Sequence, residues 1–95
     1  MKIYIAGPIT LDPNAREKFS KAEEMLKHYG HTVLNPMKNE GFSYREYIDM
    51  GLAELSKCDA IYMLNGWACS RGAVVEYVYA NIVGLKVLSE DMFIH

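Results

Sequence analysis

Apolar residues in this chain follow two rhythms. Continuous short runs, such as Ile3-Tyr4-Ile5-Ala6 and Ala60-Ile61-Tyr62-Met63-Leu64, alternate with longer stretches in which apolar residues recur every three or four positions. The runs read as buried strands and the stretches as amphipathic helices. Lys2 to Ala6 predicts a first strand ended by Gly7-Pro8. Asp12-Pro13 then predicts a helix start, with Asp12 as cap and Pro13 in the first turn. That helix should run from about Asn14 to Tyr29, with Phe19, Ala22, Met25, Leu26 and Tyr29 on one face and Gly30 in the left-handed turn after it. His31 to Leu34 predicts a second strand, closed by Asn35-Pro36, and Met37 to Phe42 an exposed connection.

Ser43 followed by Glu46 is a capping box that opens a second helix of about Tyr44 to Lys57, weakened in its middle by Gly51. Asp59 to Leu64 is an almost unbroken apolar run, as a central strand covered on both faces requires, and Asn65-Gly66 ends it. A last helix should run from Arg71 or Gly72 to Val83, capped by Gly84, before a terminal strand over Leu85 to Leu88. Alternating strands and helices imply an α/β fold, a three-layer flavodoxin- or Rossmann-like domain. The expected sheet is parallel, has four strands in the order 2-1-3-4, and belongs to a single domain over residues 1–95. In that order the winding reverses between strands one and three, where ligands of open α/β sheets bind. The loops Gly7 to Asp12 and Asn65 to Arg71 meet there.

Composition narrows the classes. Half of the 95 residues are hydrophobic, with seven tyrosines and six methionines, so a homodimer or higher homo-oligomer is expected to cover the surplus. A net charge of −2 offers no basic field for a nucleic acid polymer. Cys58 and Cys69 lack the spacing of a disulfide framework or zinc site, and His28, His31 and His95 lack ligand spacing, so no metal is expected. The chain begins on a strand pattern and holds no long apolar run, which excludes a spanning helix and makes the cytoplasm the expected compartment. Neither a Gly-x-Gly-x-x-Gly fingerprint nor a Walker sequence is present, so no cofactor is implied.

Candidate chemistry gathers around the last helix. It is apolar almost all round, which predicts burial on most sides, and Glu76 is its only carboxylate. Glu76 shares a stripe with the small residues Gly72, Ala73 and Ala80, which leave a hollow. A salt bridge or a solvent-facing position would account for it; so would a nucleophile or general base with a raised pKa. Ser70 reads as an N-cap, and with the amides that open the helix it could also receive a phosphate. Asn65, Gly66 and Trp67 fall in the adjoining loop, where the tryptophan could stack on a base or cover the core. Tyr4 is positioned either to steer Glu76 or to pack. Gly7 and Pro8 would admit a ligand close to the backbone.

Tyr4 to Thr10, the pair Asn35-Pro36, and the segment Cys58 to Glu76, read as CDAIYMLNGWACSRGAVVE, together resemble the nucleoside 2-deoxyribosyltransferase superfamily, and most closely its short DUF4406 branch. The resemblance covers nearly the whole chain. It implies that Glu76 attacks the anomeric carbon of a (deoxy)ribonucleoside, that Tyr4 orients it, and that a covalent glycosyl-enzyme passes to a second base or to water. Members handling free nucleosides tend to have an aspartate where this chain has Ser70, so Ser70 with Gly72 implies a 5′-monophosphate substrate. One departure stands out. The aspartate that in the superfamily usually protonates or holds the leaving base falls at Gly51 here, and Asp49 could replace it only if the helix register shifts or the helix starts irregularly.

The sequence therefore implies cleavage or transfer at an N-glycosidic bond, by a transferase or hydrolase acting on a small-molecule nucleoside or nucleotide. The alternative is a non-catalytic nucleotide-binding module of the same fold. A flavodoxin- or receiver-like domain would want an acidic cluster or flavin loops at this edge, and only Asp12 lies near it.

Overall fold

Four apolar runs pair side by side as parallel strands, β1 (Lys2–Ala6), β2 (Thr32–Leu34), β3 (Ala60–Met63) and β4 (Lys86–Ser89), in the order β2-β1-β3-β4. This is the sheet expected from the alternating pattern. The structure is a computed structural model that describes residues 1–10, 12–38 and 41–92. Three helices connect the strands: α1 (Ala15–His28), α2 (Tyr44–Leu55) and α3 (Arg71–Val83).

The pleat of β1 divides the core in two, because successive strand residues face opposite sides of the sheet. Ile3 and Ile5 pack with Phe19 and Leu26 of α1 on one face. Tyr4 and Ala6 pack with Leu55, Ala73 and Ala80, on the face covered by α2 and α3. Phe19 is fully buried, a contribution of about 2–3 kcal/mol. In register, Tyr4 lies opposite Leu34 on one side and Ile61 on the other, so its side chain leaves the centre of the sheet toward α3.

Local chemistry sets the helix ends. The Ser43 side chain accepts from the Glu46 N–H while the Glu46 carboxylate accepts from the Ser43 N–H at 2.9 Å, the reciprocal box predicted for α2. Ser70 caps α3, and Gly84, at φ +81°, ends it in the left-handed region. The start of α1 differs from expectation. Asp12 does not cap it: Asn14 holds the cap position, and the Asp12 carboxylate instead accepts the Asn14 N–H at 2.9 Å and pairs with Lys18 at 2.7 Å. A short aspartate side chain satisfied by the backbone two residues on forms its own turn, which delays the helix to Ala15.

Two further expectations need correction. The stretch after β2 is not simply an exposed connection: Pro36–Lys38 is a 3-10 turn with Pro36 buried and Met37 half-buried. Asn35 fastens it, accepting the Met37 N–H at 2.9 Å and donating to Glu23 of α1 at 3.0 Å. Residues 39 and 40 of that connection, Leu11 of the first loop and His95 lie outside the described residues. Helix α3 is not buried on most sides either. Its inner stripe Ala73, Glu76 and Ala80 is buried, but Val75, Val78 and Ile82 are exposed along its outer face, because only one side of α3 meets the sheet. Among the described residues no helix is long and apolar enough to cross a membrane.

Glu23 binds α1 to this turn. It accepts from Asn35 and from the ammonium groups of Lys27 and Lys38, and the Lys27 hydrogen bond leads the causes that lower its pKa to about 2. A lowered folded-state pKa gives stability that is present above the unfolded value of 4.5 and lost as pH falls through about 2. Because both lysines are water-screened, Glu23→Gln is expected to cost only about 1 kcal/mol at pH 7. Urea denaturation should show this difference closing between pH 4.5 and 2; a pH-independent gap would contradict it.

Candidate active site

Behind the Gly7 loop, between the end of β1 and the starts of α2 and α3, lies a cavity of about 320 Å³. That is at the lower end of the range for small-molecule sites. Tyr4, Ala6 and Gly7 form its floor at the end of β1. Ser70, Gly72, Ala73 and Glu76 form one wall along α3. Tyr44, Tyr47 and Ile48 of α2, with Phe42 before it, form another, and Pro36 and Met37 close a third side.

Glu76 is the buried carboxylate of this lining. It is 8% exposed, and the Tyr4 hydroxyl donates to its Oε2 in a short buried hydrogen bond. No cationic side chain is among the groups that shift its pKa. Burial, the largest cause, raises it to about 7, the bond from Tyr4 opposes this, and the charge of Glu54 on α2 adds to the rise. The Tyr4 phenol is pushed far above its ordinary range by burial first and then by Glu76, so it stays a donor. Ionising Glu76 in the folded protein therefore costs about 3 kcal/mol relative to a free carboxyl, from a shift of this size. A buried acid poised near neutrality and facing a cavity is what a general base or nucleophile requires.

Gly51 explains how the pair fits. A Cβ at this mid-helix position would lie 2.6 Å from Glu76 Oε2 and 2.8 Å from the Tyr4 hydroxyl oxygen. The backbone of α2 is thus the roof over the carboxylate, and any side chain at position 51 requires Glu76 to move. On α3 a Cβ at Gly72 would come within 3.0 Å of Ile48, so each helix gives a glycine to their close contact.

The other sequence-derived candidates divide. Ser70, Gly7 and Gly72 line the cavity with Tyr4 and Glu76. The Ser70 hydroxyl accepts the Ala73 N–H at 3.3 Å, so it caps α3 while facing the cavity. Gly7 is required for packing as well, since a Cβ there would meet Leu64 at 2.8 Å. Pro8, Asn65, Gly66 and Trp67 do not line it. Asn65 is exposed, with its N–H donated to Glu90 at 2.9 Å, and Trp67 stacks on Tyr77 with ring centroids 4.5 Å apart. Asp49 is exposed on α2 and is not brought to the cavity either. The helix keeps its register, so the carboxylate and the cavity are on different sides of α2.

Sequence reasoning passed over Thr10, Arg16, Phe42, Tyr44 and Tyr47, all of which line the cavity. Tyr44 and Ile48, four apart on α2, carried a signal for the aromatic wall; Arg16 in the first turn of α1 carried none beyond its closeness to the Gly7 loop. Among the described residues, no group of three or more His, Cys, Asp or Glu is placed to hold a metal ion.

With this geometry in view, the chain can be set beside known proteins. The family described as Domain of unknown function (DUF4406) matches residues 1–89. Two solved structures share the fold: a 2-desoxiribosyltransferase from Leishmania mexicana, at 24% identity and a TM-score of 0.75 over 93% of this chain, and a 2-deoxyribosyltransferase from the psychrotolerant bacterium Bacillus psychrosaccharolyticus, at 24% identity and 0.74 over 94%. The chain spans 62% of the length of the first and 71% of the second. No curated protein matches the sequence.

The roof over Glu76 is directly testable. Alanine is the better helix former by about 1 kcal/mol, but overpacking a closed site costs about 1–3 kcal/mol, so Gly51→Ala is expected to be destabilised overall. Its denaturation midpoint should fall. A stabilised Gly51→Ala protein would show that the carboxylate does not lie against α2.

Proposed function

The chain belongs to the DUF4406 family, and from the geometry of its site we propose that it cleaves or transfers the N-glycosidic bond of a (deoxy)nucleoside or its 5′-monophosphate. The observation that carries this reading is the buried Glu76–Tyr4 pair opening into a nucleoside-sized cavity. Glu76 is the nucleophile: its carboxylate attacks the anomeric carbon, the carbon–nitrogen bond breaks, and a glycosyl ester forms that a second base or water then resolves. Tyr4 orients the attacking oxygens. The shared fold with two 2-deoxyribosyltransferases supports this assignment.

Ser70 and Gly72 hold the 5′ end. Along a helix rising about 1.5 Å per residue, Ser70 lies about 9 Å from Glu76, a span suited to a ribose between them. The start of α3 presents amides and the positive end of the helix dipole, and Arg16 brings a cation to the same cavity. A hydroxyl at position 70 accepts a phosphate that an aspartate would repel. The outer face of α3, with Val75, Val78 and Ile82 exposed, supports the proposal that copies of the chain associate.

One observation favours a second reading. With Gly51 and no second carboxyl in the described lining, the domain would bind a nucleotide without turning it over. Incubation with a panel of deoxy- and ribonucleoside 5′-monophosphates, analysed by chromatography, separates the two. Free base should appear, and Glu76→Gln should lower its rate by at least about 10³-fold. Raised melting temperature without base release would replace the enzyme with a binding module.

A further inference from the structure

The described lining of the cavity holds a nucleophile and no partner acid. Among the described residues that line it, Glu76 is the sole carboxyl group; Arg16 cannot give up a proton near neutral pH, and the remaining polar groups are the hydroxyls of Thr10, Ser70 and three tyrosines. Phenols and aliphatic alcohols are poor acids near neutrality. Position 51, where α2 faces the carboxylate, has no room for a side chain while Glu76 is held by Tyr4. Glu54, one turn further along α2, acts on Glu76 by repulsion only and does not line the cavity. A neutral base departing from C1′ must gain a proton, and nothing in this lining is suited to give it.

The side of the cavity across from the sheet points to how the difficulty is avoided. Phe42, Tyr44 and Tyr47 present three aromatic rings there, with Phe42 and Tyr47 edge to face at 6.1 Å. Aromatic rings that share a cavity with a carboxylate favour a flat cation. The carboxylate itself needs one: it is desolvated, its hydrogen-bond donor is a neutral phenol, and the nearby charge of Glu54 makes its ionised form less stable. A positively charged ring at C1′ would supply the missing counter-charge and would leave without protonation.

We propose that the preferred substrate of this site is a nucleoside or nucleotide whose base is a cationic N-heterocycle, a quaternised purine or pyridinium, held between the aromatic wall and Glu76. The inference rests on the N-glycosidic reading above. In the first step a Glu76 oxygen bonds to C1′ while the C1′–N bond breaks, and its electron pair moves onto the ring and cancels the positive charge. Carboxylate and cation become a neutral ester and a neutral base. Water then attacks C1′, the ester bond returns its electrons to Glu76, and the proton of the water passes to solvent.

The test is a matched pair that differs by one methyl group and one positive charge, 7-methylguanosine 5′-monophosphate and guanosine 5′-monophosphate. Base release by the intact protein is followed by chromatography, with the uncatalysed rate subtracted. A general acid contributes about 10²- to 10⁴-fold, so a site without one should favour the methylated nucleotide by at least about 100-fold in kcat/KM. Glu76→Gln should abolish release of 7-methylguanine. Rates within tenfold of each other would overturn the cationic preference and leave the N-glycosidic reading standing. No release of 7-methylguanine by the intact protein would overturn the preference, and release that persists in Glu76→Gln would overturn the reading and the preference together.

Discussion

A single hydrogen bond across the inner layer, from the Tyr4 phenol to the Glu76 carboxylate, sets the terms for everything around it. It joins the centre of the sheet to α3 and closes a polar pair inside an apolar layer formed by Leu55, Ile61, Met63, Ala73 and Ala80. Burial raises the pKa of Glu76 to about 7, above the unfolded value of 4.5, so the fold is most comfortable with this group protonated. Stability from that source is fully present below pH 4.5 and is lost as pH rises through about 7. The domain thus accepts a destabilised charge at physiological pH.

Several parts of the fold follow from this constraint. Helix α2 can serve as a roof only because position 51 is glycine, and the Pro36–Lys38 turn can wall the cavity only because Asn35 and Glu23 fasten it to α1. Among the described residues, the two buried carboxylates titrate in opposite senses. Glu23 is held charged by amide and ammonium donors, and Glu76 is held near neutrality by burial. One stabilises the scaffold and the other is available for chemistry.

The sheet order and the run of each helix were legible in the sequence because they depend on local patterns: short continuous apolar runs, recurrence at three- and four-residue steps, the Ser43–Glu46 box, and glycine beyond α1 and α3. That Tyr4, Ser70, Gly72 and Glu76 meet at one cavity was legible because strand order brings their segments together. The role of Gly51 was not, since a helix-weakening glycine looks the same in sequence whether it is incidental or makes room for a carboxylate that would lie 2.6 Å from an added Cβ. Trp67 misled for a similar reason: its loop reaches the sheet edge, but the ring finds Tyr77 of α3 instead of the cavity. Tyr44 and Tyr47 belong to the start of an ordinary amphipathic helix and Phe42 precedes it, and only the approach of α2 to α3 converts them into a cavity wall.

The central claim concerns the state of one buried acid, and carbon-13 NMR titration of the glutamate side-chain carboxyls reads it directly, with Glu76→Gln supplying the assignment. Glu76 should show a midpoint about 7, and a higher one in Tyr4→Phe, because the phenol donates to the charged form and opposes the effect of burial. A midpoint near the ordinary 4.5, unmoved by loss of the tyrosine hydroxyl, would contradict it.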